Sequence, residues 1–142
     1  DIYQDIILDH YRRPRNKVNI PDPDLFSRGF NPFCGDEVTL MITLATENQI
    51  KAIGFTGQGC SISQASASIL TELIKGKSLK EIMEISDVFR NLVKGLAVSD
   101  EDLDKLGELE ALKGVSKFPV RIKCALLPWS TLEDAISKNK DL

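Results

Sequence analysis

Strict alternation between apolar and polar positions over residues 37–45 constrains this chain more than any other feature of its sequence. A period of two is typical of a β-strand that buries one of its faces. The apolar face comprises Val38, Leu40, Ile42 and Leu44. A polar turn at 47–49 precedes a second apolar segment at 50–56, so the two segments are predicted to pair as an antiparallel hairpin. The chain is therefore expected to build its domain around a small sheet.

A thiol and a carboxylate stand directly before the first of these strands, in the segment 31–36, which reads NPFCGD. The residue before a proline avoids helical backbone angles, so a turn is predicted at Asn31-Pro32. Gly35 lacks a Cβ and permits angles that bring its neighbours' side chains together. In an extended chain, residues two apart point the same way. Cys34 and Asp36 are therefore candidates for two ligands of one metal ion.

A second cysteine lies immediately before a predicted helix. The hairpin ends at Gly57-Gln58-Gly59-Cys60, and the next four residues match a capping box in which Ser61 caps the helix and Gln64 reaches back. An apolar stripe then continues for several turns. The dipole and the free N–H groups of a helix start favour the thiolate form of a cysteine placed there. Cys60 is thus expected to be a good metal ligand.

The third cysteine is expected at the end of a third strand. Residues 118–124 alternate again, with Val120, Ile122 and Cys124 sharing one face. A last helix is predicted to start around Leu127-Pro128, because proline is well tolerated in a first helical turn. All three cysteines would then lie where a strand or loop meets the start of a helix.

The N-terminal segment is predicted to be a helix over residues 1–12 that ends before Pro14. The basic cluster at 12–17 is interpreted as a solvated helix end, since cations suit a helix C-terminus, in preference to a docking patch for an acidic partner. His10 is expected to be a hydrogen-bonded surface or helix-end residue and not a ligand.

Three short helices are predicted in the second half of the chain, over 78–83, over 87–94 and from Ser99. The acidic segment at about 95–116 looks like a helical insertion or lid outside the core framework. The fold class that these elements predict is α+β, with a three-stranded antiparallel sheet packed against several helices in one domain over 1–142.

Composition limits the class of protein and the kinds of partner. With 42% hydrophobic and 27% charged residues in 142 positions, the chain has the composition of one globular domain. The net charge of −3 argues against nucleic-acid binding through bulk electrostatics. The longest apolar runs fall far short of the roughly 18 residues that a membrane helix needs, so no membrane partner is expected. A cytoplasmic location is the default expectation.

The three cysteines and Asp36 together would offer three sulfur donors and one oxygen donor. Zinc binds such donors tetrahedrally, and iron–sulfur clusters also use cysteine thiolates. The cysteines are far apart in sequence and form no short CxxC motif, so three unrelated core cysteines remain an equal alternative on spacing alone. A site therefore depends on whether Cys34, Asp36, Cys60 and Cys124 meet in space.

Three motifs closely resemble the U-type iron–sulfur assembly proteins, which comprise IscU, the NifU N-terminal domain and SufU. They are NPFCGD at 31–36, GQGCSISQAS at 57–66 and RIKC at 121–124, and the segment from His10 to Asn16 resembles the N-terminal signature of the family. The resemblance spans nearly the whole chain. It implies the IscU/SufU fold and a metal site made of Cys34, Asp36, Cys60 and Cys124.

Two departures make the chain most similar to the SufU branch. Scaffold-type IscU proteins carry histidine just before the third cysteine, where this chain has Lys123. They also carry a Leu-Pro-Pro-Val-Lys chaperone-docking segment, where residues 117–121 read KFPVR. The acidic segment at 95–116 resembles the extra segment of SufU.

That branch implies a zinc-dependent sulfurtransferase in iron–sulfur cluster assembly, which accepts persulfide sulfur from a cysteine desulfurase and serves downstream scaffold proteins. Cys34 is the expected acceptor because it lies on a glycine-flanked loop, and Arg121 is a candidate to hold the anionic persulfide or the partner. The alternative is a scaffold that uses the same ligands for iron or a [2Fe–2S] cluster. A third hypothesis is an interaction module in which zinc contributes only folding energy.

Overall fold

The computed structural model describes residues 1–139. In chain order its elements are α1 (Ile2–Arg12), β1 (Leu25–Asn31), β2 (Asp36–Leu44), β3 (Ile50–Gln58), α2 (Ser61–Ile74), α3 (Leu79–Val93), α4 (Asp100–Leu106) and α5 (Pro119–Lys138), with 3₁₀ segments at Thr46–Asn48 and Gly107–Lys117. The strands form one antiparallel sheet in the order β1-β2-β3. The predicted α+β class with a three-stranded antiparallel sheet is confirmed. Among the helices of this part of the chain, none is both long and apolar enough to cross a membrane.

The predicted hairpin corresponds to β2 and β3. Leu40 pairs with Phe55 across the two strands, and both side chains are fully buried. Helix α2 packs against the hairpin with Leu70 and Ile74 in the same core cluster, and Trp129 of α5 is also fully buried there. The inward faces of the strands and the apolar face of the helix therefore pack together in one hydrophobic core.

The third strand is β1, so the prediction of a third strand at 118–124 is wrong. The alternation in β1 is inverted, because Phe26 and Phe30 are exposed while Ser27 and Asn31 are buried. The inward face needs small or polar residues because α5 packs very close to it: a Cβ on Gly29 would lie 2.0 Å from Thr131 Oγ1. A strand with small and polar residues inside gives no hydrophobic alternation that marks it in sequence.

Residues 119–138 form α5 instead, and the predicted helix start at Leu127-Pro128 is also wrong. Pro119 occupies the first turn, where its missing N–H is not needed. Val120 and Cys124 share a face in either a strand or a helix, because four residues is close to one helical turn. Cys124 therefore lies inside a helix rather than at a strand end.

The start of α2 differs by one residue from its prediction. Cys60 is the N-cap, so the capping box of Ser61 and Gln64 does not form. Gln64 is buried, and neither polar atom of its amide has a hydrogen-bond partner among residues 1–139. The capping box of Ser78 and Glu81 does form, and it opens one continuous α3 in place of the two short helices predicted there.

The acidic segment at 95–116 folds as α4 and the following 3₁₀ segment, and Ser99 caps α4. Leu106, Leu109 and Leu112 are buried in the core, so this segment forms part of the framework and is not a separate lid. Its interpretation as an insertion stays a prediction.

His10 is a hydrogen-bonded residue in the last turn of α1, as expected, but it lies inside the protein and not at its surface. Its ring is 1% exposed, with Nδ1 2.7 Å from Ser68 Oγ and Nε2 3.0 Å from Glu108 Oε1. It therefore joins α1, α2 and the second 3₁₀ segment. Part of the basic cluster is paired, since Arg13 and Arg15 both contact Asp9 and hold the pKa of that carboxyl below its usual range.

Candidate metal centre

The structure brings the four predicted ligands together at one end of the sheet. The Sγ atoms of Cys34 and Cys124, both free thiols, lie 3.0 Å apart. One ligand atom from each of Cys34, Asp36 and Cys124 lies within 4.8 Å of the other two. Cys60 Sγ lies 3.8 Å from Asp36 Oδ2, which places the third sulfur beside the same carboxylate. Their role as metal ligands remains a prediction.

A tight connection between β1 and β2 places Cys34 beside Asp36. Asn31 and Asp36 pair directly in the register of the two strands, and Cys34 N donates to Asn31 O at 3.3 Å. Gly35 has φ of 64°, a left-handed angle that a residue with a Cβ adopts only with strain. The glycine in NPFCGD therefore favours the turn, as the sequence predicted.

The Asp36 carboxylate is tied to the start of α2. Its Oδ1 accepts a hydrogen bond from the backbone N of Cys60 at 2.8 Å, and the side chain is 2% exposed. Gly59 makes this approach possible, because a Cβ there would lie 2.3 Å from Asp36 Oδ1. Cys60 caps the helix, with its Sγ accepting from Ser63 N at 3.5 Å, so this sulfur lies against the free N–H groups of the helix start.

Cys124 is the buried member of the cluster, with no exposed surface. Burial is the main cause that raises the pKa of the Cys124 thiol, and the neighbouring Cys34, Asp36 and Cys60 raise it further. Asp36 makes no ion pair with any residue from 1 to 139. Three thiols and a carboxylate that has no ion pair among these residues fit a divalent metal, which would neutralise them, and three sulfurs with one oxygen suit tetrahedral zinc.

A pocket of about 410 Å³ opens beside the sulfurs. Its lining comprises Cys34, Cys60, Cys124 and the segment 117–121. Arg121 lies in the first turn of α5, exposed, with its guanidinium 6.0 Å from the centre of the Phe118 ring. The pocket therefore leaves the Cys34 and Cys60 thiols accessible from solvent, beside the Arg121 guanidinium.

Asn31 contacts the centre and was not selected as a site residue from the sequence, and Lys123 lies beside the Cys34 turn. Asn31, interpreted there only as a turn residue, has its Nδ2 3.5 Å from both Asp36 Oδ2 and Cys124 Sγ. Lys123 places its Nζ 4.8 Å from the centre of the Phe33 ring, next to Cys34. Its place in the NPFCGD motif was the only signal for Asn31, and Lys123 was singled out only as the residue that stands where scaffold-type relatives carry histidine.

The fold and this cluster define a small α+β protein with a Cys₃Asp cluster suited to a metal ion. The chain belongs to the family described as the NifU-like N-terminal domain, whose model matches residues 2–138. The resemblance to the IscU/NifU/SufU proteins inferred from the motifs is thereby confirmed.

The relatives carry two different functional descriptions. The chain is 42% identical over 139 residues to the zinc-dependent sulfurtransferase SufU of Bacillus subtilis, covering 98% of this chain and 92% of that one. It is 37% identical over 138 residues to the iron–sulfur cluster assembly scaffold protein IscU of Streptococcus pyogenes, covering 97% and 84%. A solved structure from Fervidobacterium islandicum, described as a SUF-system scaffold (FiSufU), superposes with a TM-score of 0.86 at 35% identity, covering 95% and 96%.

Proposed function

We propose that the protein is a zinc-dependent sulfurtransferase of iron–sulfur cluster assembly, which accepts persulfide sulfur from a cysteine desulfurase and passes it toward downstream scaffold proteins. Zinc would be held by Cys34, Asp36, Cys60 and Cys124, and it would keep the thiols deprotonated. The observation that carries the proposal is the meeting of these side chains beside an open pocket. The reaction would take place in the cytoplasm, where thiols remain reduced.

The transfer is an exchange between a thiolate and a persulfide. The Cys34 sulfur attacks the outer sulfur of the desulfurase persulfide, a new S–S bond forms on Cys34, and the desulfurase cysteine leaves as a thiolate. No oxidant or reductant is consumed.

Three features of the local environment support Cys34 as the acceptor. It is half-exposed on a turn, whereas Cys124 is buried in a helix. Backbone or side-chain N–H groups donate to the sulfurs of Cys60 and Cys124. Within residues 1–139, Cys34 Sγ accepts a hydrogen bond only from the Cys124 thiol. A sulfur with fewer N–H donors is less stabilised as an anion and is the better nucleophile.

Arg121 is proposed to attract the anionic persulfide into the pocket. Its exposed guanidinium is part of the pocket wall. It should therefore speed association with the desulfurase persulfide and leave the rate of the sulfur exchange itself unchanged. Arg121→Gln should raise the desulfurase concentration needed for half-maximal transfer. Arg28→Gln, on the exposed side of β1 outside the pocket lining, is the matched control and should change little.

The decisive experiment incubates the zinc-loaded protein with a cysteine desulfurase and free cysteine, and then locates added sulfur by peptide mass spectrometry. Sulfur should appear on Cys34, and Cys34→Ser should abolish both the adduct and the stimulation of desulfurase turnover. Stimulation without any sulfur on Cys34 would refute this assignment.

A second candidate function is a scaffold for a [2Fe–2S] cluster, which the description of the streptococcal relative favours. The same four side chains would serve, with the Asp36 oxygen as the weakest donor. Protein purified without oxygen would be brown if it held such a cluster and colourless with zinc. The position of Lys123 over the Phe33 ring counts against the scaffold, since this side chain replaces the family histidine with a cation that cannot coordinate metal.

A further inference from the structure

We propose that Asn31 is a positioning residue of the metal centre, whose side-chain amide holds Asp36 and Cys124 in the geometry that binds the ion. The inference rests on the proposed function, because it concerns two of the four proposed zinc ligands. Asn31 itself would not contact the metal.

The position of Asn31 places its side-chain amide beside Asp36 and Cys124. It is the last residue of β1, directly opposite Asp36 in the strand register, and it is 5% exposed. Nδ2 lies 3.5 Å from Asp36 Oδ2 and 3.5 Å from Cys124 Sγ. An amide nitrogen carries two hydrogens, so one side chain can donate to both acceptors at once.

These two contacts complete the orientation of the carboxylate. Oδ1 of Asp36 is already held by the backbone N of Cys60 at 2.8 Å, and Asn31 constrains Oδ2. The second N–H reaches the only fully buried sulfur of the three cysteines. Both contacts therefore fix the positions of an oxygen and a sulfur that would bind the metal.

A merely structural role would depend on the shape of the side chain, while the proposed role depends on its two N–H groups. Asn31→Asp keeps the shape but replaces the donor with an anion beside Asp36 and Cys124. Asn31→Ala removes both shape and donor. If the amide acts as a donor, both variants lose affinity and the aspartate loses at least as much. If it only fills space, the aspartate variant keeps wild-type affinity or, because of its added negative charge, binds zinc more tightly.

The test measures zinc affinity of the metal-free, reduced full chain by competition with a chromophoric chelator. Removal of a residue that orients metal ligands typically weakens binding by about 10- to 100-fold, and we expect that range for Asn31→Ala. Asn31→Asp should weaken zinc binding at least as much. Asn91→Asp makes the same chemical change at an exposed site on α3 and should bind zinc as the wild type does.

Cobalt loading provides a readout that is independent of activity. The thiolate-to-cobalt and ligand-field absorption bands report donor set and geometry, so they should shift in Asn31→Ala and Asn31→Asp but not in Asn91→Asp. Thermal unfolding of the metal-free variants shows whether they remain folded. If the alanine variant unfolds, the isosteric aspartate variant still decides the question.

Wild-type affinity and spectra in Asn31→Asp, or tighter binding by that variant, would overturn the role of Asn31 while leaving the proposed function intact. Failure of the wild-type protein to bind zinc or cobalt would overturn both. The two outcomes are distinguishable because the wild-type titration is read before any variant.

Discussion

Cys34 and Cys124 place their sulfurs 3.0 Å apart, yet the regions that carry them differ in almost every physical respect. Cys34 stands on a turn beside Phe33, which is 75% exposed, and before Gly35 with its left-handed backbone angle. Cys124 lies inside α5 with no exposed surface and receives an N–H from Asn31.

The difference shows how one metal centre can contain both a cysteine that stays bound to the metal and a cysteine that reacts with a partner. A buried, hydrogen-bonded sulfur on a helix is held in place by the surrounding core, so it suits a ligand that stays bound. A sulfur on an exposed turn can be reached by a partner and can change its position at small cost. We therefore expect the two cysteines to react with the same thiol reagent at different rates.

The largest expected difference is in alkylation of the metal-free protein. At pH 8, iodoacetamide should modify Cys34 roughly 100-fold faster than Cys124, since burial both hides the Cys124 thiol and raises its pKa, and thiolate is the reactive form. Peptide mass spectrometry at successive times measures both rates in one sample. If the two cysteines were alkylated at equal rates in the folded protein, this distinction between them would be wrong. As a control, both should be alkylated at the same rate in urea, where the chain is unfolded.

A smaller difference is expected between the stability costs of replacing the two glycines near the Asp36 carboxylate, Gly59 and Gly35. Gly59→Ala should destabilise the fold by about 3 kcal/mol, since its Cβ would lie 2.3 Å from Asp36 Oδ1 and 2.9 Å from Asp36 Cα in addition to the backbone strain at φ of 152°. Gly35→Ala should cost only about 1 kcal/mol, because no atom outside its two chain neighbours would lie within 4 Å of the added Cβ. Urea unfolding of the two variants measures the difference, and a larger loss for Gly35→Ala would contradict this account of the turn.

The smallest effect is a dependence of stability on pH in the metal-free protein. The folded state holds the Cys124 proton to higher pH than the unfolded chain does, because burial raises its pKa in the fold. Stability from this thiol is therefore complete below the unfolded pKa of about 8.5 and declines above it, by at most about 1.4 kcal/mol per pH unit. Urea unfolding at pH 8 and pH 10 should show this decline, and Cys124→Ala should reduce it.

Several elements were predictable because their signals are local. The hairpin of β2 and β3 follows from alternation, and the capping box of Ser78 and Glu81 follows from four consecutive residues. The contribution of Gly35 to the turn could be inferred from its lack of a Cβ. Each of these depends on interactions between residues that are near neighbours in the chain or in one hairpin.

The errors share a different cause, which is close packing between distant elements. β1 was missed because α5 approaches Gly29 so closely that the inward face carries small and polar residues in place of apolar ones. The start of α5 was misplaced because Val120 and Cys124 fit a strand and a helix equally well. The burial of His10 was not predicted because its partners Ser68 and Glu108 lie far along the chain.

By itself, the sequence determined the α+β class, the hairpin, the donor types available for a metal and, through its motifs, the family. The convergence of Cys34, Asp36, Cys60 and Cys124, and the contact of Asn31 with two of them, was decided only by the tertiary structure. The physical reason is that chain direction and local propensity act over a few residues, whereas the meeting of β1, α2 and α5 depends on how the whole core packs.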